Sequence, residues 1–387
     1  MTNEPSWAPF ESRYAKAQPQ RKILSLDGGG IRGVITLGIL LEMETRLRKR
    51  LNKDESFRLA HYFDYIGGTS TGAIIAAGLA RGLSVRQLLD FYLGQGKAMF
   101  DKAFLLKKVK YFYNDGPLAQ ALQDTFGKGD ISLSSGDLQC LLLIVTMNRS
   151  TDSPWPISNN PFAVYNHPDR KDCNTKIKLY QLVRASTAAP AYFKPETLQW
   201  DPANPEKTFT FVDGGVTPYN NPAFLLYRMA TLPPYKLEWP IGEDKLLIIS
   251  VGTGAAPSPG VYANIVDTLT QLPNNLMYAM QVDQDLNCRT VGRCTFGAPI
   301  DREIGDLIPS KPLEVNLGKH FLYARYNADL SPKGLAGMGL GDIDPDAVRE
   351  MDSVRHLDDL QRVGKAAAAQ VDLSHFGPFV PPTIQPS

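Results

Sequence analysis

Three short stretches, far apart in the chain, hold residues that together could cleave an ester. The first is GTSTG at 68–72, a serine between glycines that follows the apolar run YFDYIG and precedes the helix-like run TGAIIAAGLARG. This is the form of a nucleophile elbow. The chain turns sharply from strand into helix, Ser70 takes a strained backbone conformation, and Gly68 and Gly72 leave room for the tight approach. An ordinary strand-to-helix turn with a capping serine shows the same local pattern. The second stretch, DGG at 213–215, ends the alternating aromatic run TFTFV. It puts Asp213 at the carboxyl end of a strand, with Gly214 and Gly215 free to approach a neighbour closely; an Asp-Gly turn without chemistry reads alike. The third is DGGGIRG at 27–33, directly after the apolar run RKILSL. Successive glycines at a helix start expose backbone N–H groups where the helix dipole favours negative charge. Gly28, Gly29 and Gly30 are thus candidate donors to a tetrahedral oxyanion, with Arg32 adding positive field or orientation.

A serine nucleophile needs a group to take its proton. On sheets of this kind the order is serine, acid, histidine. None of His167, His320, His356 and His375 follows a buried strand in a glycine turn, and His61 precedes the elbow strand. Asp213 is the better candidate base. A carboxyl with an ordinary pKa of about 4 cannot ionise a serine hydroxyl in advance. It can accept the proton as the bond to the carbonyl carbon forms, provided the oxyanion is strongly stabilised. Gly28, Gly30 and Gly33 also fit GxGxxG after a strand, with Asp54 about twenty residues on, the fingerprint of a dinucleotide-binding turn. Against that reading, Asp54 stands in the charged run KDE rather than at the end of a second apolar strand, and GTSTG and DGG are left unexplained.

To act together, the three stretches must meet at one rim. RKILSL (21–26), YFDYIG (62–67), QCLLLIVTMN (139–148), TFTFVD (208–213) and KLLIISV (245–251) read as strands. Helical periodicity runs over 34–51, 71–82, 84–113 and 220–230 and begins again at 180, while TDSPWPISNNP (151–161) reads as a loop. Strands alternating with helices predict a three-layer α/β/α fold with a mainly parallel central sheet. Sites in such sheets form beyond the carboxyl ends of the strands, where DGGG, GTSTG, DGG and the VGTG of 251–254 all fall. After about residue 256 the pattern loosens: 261–287 and 351–373 read as helices, RCTFG and FLYARYN as strands, and LAGMGLGDIDPDAV as a glycine-rich loop. The expected organisation is a polar arm at 1–20, a core at 21–255, and a mostly helical C-terminal extension at 256–387 packed on that core.

Composition narrows the partners. Lys plus Arg number 41 and Asp plus Glu 40, so no global field points to a nucleic-acid polymer. Cys140, Cys173, Cys288 and Cys294 show no CxxC spacing and no flanking histidine cluster, which fits reduced thiols in a cytosolic protein better than zinc ligands. No cluster of metal ligands is visible, and no cofactor is expected: serine–carboxylate chemistry needs no ion to polarise the carbonyl. The N-terminal segment lacks a basic stretch followed by an apolar core and does not read as a signal peptide. The longest apolar run, LLLIV, is too short to span a bilayer, so contact with lipid would be peripheral. The segment 97–114 interleaves Lys97, Lys102, Lys107, Lys108 and Lys110 with Phe100, Phe104, Tyr111, Phe112 and Tyr113, as suits an anionic interface; a packed helix with a solvated basic face has the same composition. The stretch 153–162 is a second candidate, as a mobile flap.

DGGGIRG (27–33), GTSTG (68–72), RASTAAPAYF (184–193), DGG (213–215) and NNP (220–222), in that order, resemble the patatin-like phospholipase family over about 22–255. The resemblance implies a lipid acyl hydrolase with a Ser–Asp dyad, in which Ser70 is the nucleophile, Asp213 the base, and Gly28, Gly29, Gly30 and Arg32 the oxyanion site. With its short polar N-terminus and extended C-terminal part, the whole chain also resembles the bacterial patatin phospholipases of antiphage defence that a cyclic dinucleotide switches on. That likeness implies a membrane-phospholipid substrate, a cyclic dinucleotide activator whose binding residues the sequence does not mark, and homo-oligomerisation on activation. It also implies a cytoplasmic protein that works peripherally at the inner membrane. A constitutive lipase or esterase of the same family, and a nucleotide-binding module using GxGxxG, are the rival readings.

Overall fold

The computed structural model describes residues 18–100, 116–126, 131–134, 136–167, 169–190, 193–201, 203–255, 265–300, 318–352 and 354–382. The strands are β1 (Arg21–Leu26), β2 (Tyr65–Thr69), β3 (Leu141–Asn148), β4 (Ser153–Ser158), β5 (Glu196–Gln199), β6 (Thr208–Asp213), β7 (Leu246–Val251), β8 (Arg293–Phe296) and β9 (Leu322–Tyr326). Among the described residues they form one sheet in the order β5–β6–β3–β2–β1–β7–β9–β8, with β4 paired to β3. Every pairing from β3 across to β8 is parallel. The pairings of β4 and β6 with β3 and of β5 with β6 are antiparallel. Parallel strands covered by helices must be apolar on both faces. Every residue of β7 is buried, as is all but one residue of β1 and of β3.

The helices are α1 (Gly33–Arg50), α2 (Leu59–Tyr62), α3 (Thr71–Ala80), α4 (Val85–Phe100), α5 (Gly116–Phe126), α6 (Leu179–Ser186), α7 (Ala223–Thr231), α8 (Ile265–Val291), α9 (Pro332–Gly337), α10 (Pro345–Arg349) and α11 (Leu357–Ala368). The connections from β1 to β2 and on to β3 carry α1, α3 and α4, while α7 packs on β1 and β7 and α8 packs on α7. Each position of α3 is buried, so it is a core helix with no polar face. α11 crosses α1 closely enough that a Cβ on Gly38 would lie 2.8 Å from the Gly364 carbonyl carbon. The layers and the mainly parallel sheet are those the alternating sequence pattern predicts, with helical elements in the C-terminal part.

Several boundaries differ from the sequence expectation. β2 starts at Tyr65 rather than at 62, because His61 Nδ1 accepts the Arg58 N–H at 3.1 Å and closes a helical turn there. The expected loop at 151–161 contains β4. Pro154 and Pro156 mask it in the sequence. Two residues apart, their nitrogens share one edge of the strand, and that edge faces away from β3, where no donor is needed. Trp155 anchors the strand with ring centroids 5.0 Å from Phe209, 5.6 Å from Phe211 and 5.5 Å from Trp200. α11 occupies only 357–368 of the expected 351–373, and the glycine-rich 335–348 stretch carries most of α10 and part of α9. Residues 1–17 of the polar arm and 101–115, which hold most of the lysine–aromatic segment, lie outside the described residues. β8 and β9, from the stretch expected as an extension, join the same sheet as the core strands. No helix among the described residues is long and apolar enough to cross a membrane.

Candidate active site

The sheet itself explains how Ser70 and Asp213 meet. Leu143 of β3 pairs with Gly67 of β2 on one edge and Ser158 of β4 on the other. Thr146 pairs with Asp213 of β6 and, again, with β4 through Trp155. β2 and β6 therefore share the edge opposite β4, running head-on towards each other. β2 stops at Thr69 beside Val145, and β6 stops at Asp213 beside Thr146, the next residue. The two carboxyl ends converge over one step of β3, and the Ser70 Oγ donates to Asp213 Oδ2 at 2.6 Å across 143 residues of sequence.

Ser70 has φ 56° and ψ −123°, outside the regions open to most side chains. Such a residue stores about 1–3 kcal/mol and persists only where its surroundings fix it. Here its N–H donates to Ser186 Oγ at 2.9 Å, and the fully buried Ser186 donates in turn to the Val145 carbonyl at 2.7 Å. Gly68 and Gly72 are needed for space. A Cβ on Gly68 would lie 2.0 Å from the Gly72 carbonyl oxygen, and one on Gly72 would lie 2.3 Å from that of Leu26. Thr71 opens α3, so its N–H has no intrahelical acceptor and stands one residue after the serine, where an elbow places an oxyanion donor.

Asp213 is 6% exposed and accepts the Gly215 N–H on Oδ1 at 2.7 Å. Burial pushes its carboxyl up to about 6, against the opposing effects of the Ser70 hydroxyl, the Gly215 N–H and the Arg184 charge. Such a carboxyl is mostly ionised at neutral pH yet more basic than an ordinary aspartate, which suits a group that must accept a proton during bond formation. The histidines bond elsewhere: His320 with Tyr227, His375 with Tyr326, His356 with Asp359, His167 with Asp169 and His61 with the Arg58 N–H.

The glycine loop divides. The Gly28 N–H is committed to the Asn220 carbonyl at 3.1 Å, whereas the N–H groups of Gly29 and Gly30 have no acceptor among the described residues. The expected donor set thus narrows to Gly29 and Gly30. Gly28 serves by its smallness: a Cβ there would lie 2.3 Å from Asn220 Oδ1 and 3.2 Å from Ser70 Cβ. Arg32 Nε reaches back to the Gly29 carbonyl at 3.4 Å. Burial pushes its guanidinium down to about 10, with Asp27 opposing, so it stays charged at neutral pH. The VGTG turn braces this loop. Thr253 Oγ1 donates to the Gly28 carbonyl at 2.9 Å, and the N–H groups of Gly252 and Gly254 go to the Tyr326 carbonyl and Asn327 Oδ1. With the Gly252 and Gly254 N–H groups so used, the glycines of this turn offer no donors to a phosphate, which counts against the nucleotide-module reading.

Residues 24–227 match the model of the family described as patatin-like phospholipase. The chain belongs to that family. It is 33% identical over 228 residues to a cGAMP-activated phospholipase of Vibrio cholerae, covering 56% of this chain and 59% of the relative. It is 29% identical over 243 residues to a cGAMP-activated phospholipase of Escherichia coli, covering 61% and 63%. It is 30% identical over 261 residues to Patatin-17 of Solanum cardiophyllum, covering 64% of each. The chain thus spans about three-fifths of the length of these curated relatives.

The patatin-like match ends within α7, yet a residue beyond it holds the glycine loop. Asp27, fully buried, accepts from Arg325 of β9 at 2.6 Å on Oδ2 and 3.2 Å on Oδ1. Arg325 also donates to Ser250 Oγ at 2.6 Å and lies 3.7 Å from Asp285, which Arg289 grips at 2.9 and 3.0 Å. Burial pushes the Asp27 carboxyl up, and Arg325 opposes that shift. Sequence reading missed Arg325 and Ser186. The signal for the first was a lone arginine inside the apolar strand FLYARYN; for the second, a serine in RASTAAP. Arg325→Met would strand a buried carboxylate, and we expect a loss of about 3–5 kcal/mol in urea unfolding, partly recovered by adding Asp27→Asn.

Proposed function

We propose that this chain is a lipid acyl hydrolase that cleaves carboxylic ester bonds of membrane phospholipids with a Ser70–Asp213 dyad. The observation that carries the reading is the 2.6 Å hydrogen bond from Ser70 Oγ to Asp213 Oδ2 at a strained elbow. As Ser70 Oγ attacks the ester carbonyl carbon, its proton passes to Asp213 Oδ2. The carbonyl oxygen gains the negative charge and is held by the N–H groups of Gly29 and Gly30, with Thr71 as a further donor. Arg32 keeps the Gly29 peptide oriented. When the tetrahedral species collapses, the carbon–oxygen bond to the alcohol breaks and Asp213 returns the proton to that oxygen. Water then attacks the acyl-serine as Asp213 takes its proton; on collapse the carbon–Oγ bond breaks, Asp213 returns the proton to Ser70 Oγ, and the fatty acid leaves.

Because the base must be ionised, kcat/KM on a soluble ester should fall about tenfold for each pH unit below about 6 and level off above it. A profile flat from pH 4 to 8 would remove Asp213 as the base.

The reading extends to activation by a cyclic dinucleotide in bacterial antiphage defence, with oligomerisation on activation and action at the inner membrane. The relatives described as cGAMP-activated phospholipases support it. The deciding experiment is fatty-acid release from phospholipid vesicles with and without cGAMP. Release raised by cGAMP supports both parts. Equal release in both arms rejects activation and leaves a constitutive lipase. Absence of release in every arm rejects the hydrolase.

A further inference from the structure

If a nucleotide controls this chain, it must act on the site from somewhere, and the following rests on that activation reading. A cavity of about 540 Å³ lies at the sheet rim beyond the carboxyl ends of β7 and β9. In α/β sheets such crevices take ligands, and cavities of roughly 300–1,000 Å³ suit small ones. Its lining includes Tyr278 and Gln281 of α8, Arg325, and Asn327, Asp329 and Lys333 after β9.

Gln281, 6% exposed, turns its residue surface into this lining. Asn327 commits Oδ1 to the Gly254 N–H, which leaves its amide nitrogen unpaired among the described residues. The exposed Lys333 pairs with no carboxylate among the described residues. Asp285, also in the lining, is neutralised by Arg289 and does not repel an anion there.

We infer that this cavity binds a cyclic dinucleotide and passes its occupancy to the glycine loop 28–30 through Arg325 and Asn327. Purine bases match the Tyr278 ring face and the Gln281 and Asn327 amides. The Asp329 carboxylate is an acceptor for the N1–H and N2–H groups of guanine. A phosphodiester pairs with Lys333. Two connections lead inward. Arg325 grips Asp27, from which the glycine loop springs. Asn327 holds Gly254, next to Thr253, whose hydroxyl donates to the Gly28 carbonyl. A ligand that fixes Arg325 and Asn327 therefore favours one placement of the Gly29 and Gly30 donors. Activation requires that it bind this arrangement more tightly than the resting one.

The test is calorimetric titration of the full chain with cGAMP, c-di-GMP and GMP, repeated on Tyr278→Ala and Lys333→Glu, each first confirmed to melt cooperatively. The expected result is that a cyclic dinucleotide binds the parent, and that each variant weakens Kd by about tenfold or more. Variants that bind as the parent does, a parent that binds no dinucleotide, or GMP binding as tightly as cGAMP would each overturn the assignment. Fluorophosphonate labelling of Ser70 in the same preparations reads the hydrolase separately. Cyclic-dinucleotide stimulation that survives both variants would place the activator elsewhere while leaving activation standing.

Discussion

Asp213→Asn is expected to lower kcat/KM by about 10³-fold and, at the same time, to make the protein harder to unfold. The rate is lost because an amide cannot take the serine proton. The gain in stability follows from burial. Asp213 titrates at about 6 in the folded chain and at about 3.9 when unfolded. Its folded pKa is raised, so its contribution to stability is fully present below about pH 4 and is lost as pH rises through 6. Above that, holding the ionised carboxylate costs on the order of 3 kcal/mol. An asparagine stays neutral, can offer its oxygen to the Gly215 N–H and its NH₂ to Ser70 Oγ, and escapes that cost. Thermal melts of parent and variant should therefore differ most at pH 8 and converge towards pH 4. A variant less stable than its parent at pH 8 would mean that Asp213 is held for structure and not for chemistry.

Ser70→Ala is expected to reduce ester hydrolysis by about 10⁴-fold or more, since the flanking Thr69 and Thr71 hydroxyls are buried and bonded to the Tyr219 carbonyl and to Tyr92. Its effect on folding should be small. Alanine meets the same φ of 56° as serine does, and Ser186 still accepts the backbone N–H. Asp213 loses the hydroxyl that opposes the effect of burial, so its carboxyl should titrate above about 6 in this variant. Ser70→Gly separates strain from chemistry. It should be equally inactive yet more stable, because glycine adopts positive φ without penalty. Vesicle hydrolysis and urea unfolding of the three proteins measure both effects. Hydrolysis retained in either variant would discard the dyad.

The parts of this site written in local sequence were the parts legible in advance. GTSTG, DGG and DGGG are turns whose glycines answer to steric needs within a few residues, such as the 2.0 Å approach of a Gly68 Cβ to the Gly72 carbonyl. The parallel core was equally plain, because strands buried on both faces, such as LLIISV, are apolar at nearly every position. What stayed hidden depends on residues meeting across the fold. β4 looked like a loop because its prolines remove donors, and only its place at the edge of β3 makes that harmless. The occupation of the Gly28 N–H depends on where the Asn220 carbonyl falls, 192 residues on. Arg325 could be read as an odd residue in a strand, but its partner Asp27 lies 298 positions away.

Identifying the residue that a fluorophosphonate probe modifies tests the central claim most directly. Digestion of the labelled protein followed by peptide mass spectrometry should place the adduct on Ser70 alone, with labelling near zero for Asp213→Asn at neutral pH. An adduct on any other residue, or an undiminished labelling rate in Asp213→Asn, would contradict the Ser70–Asp213 assignment.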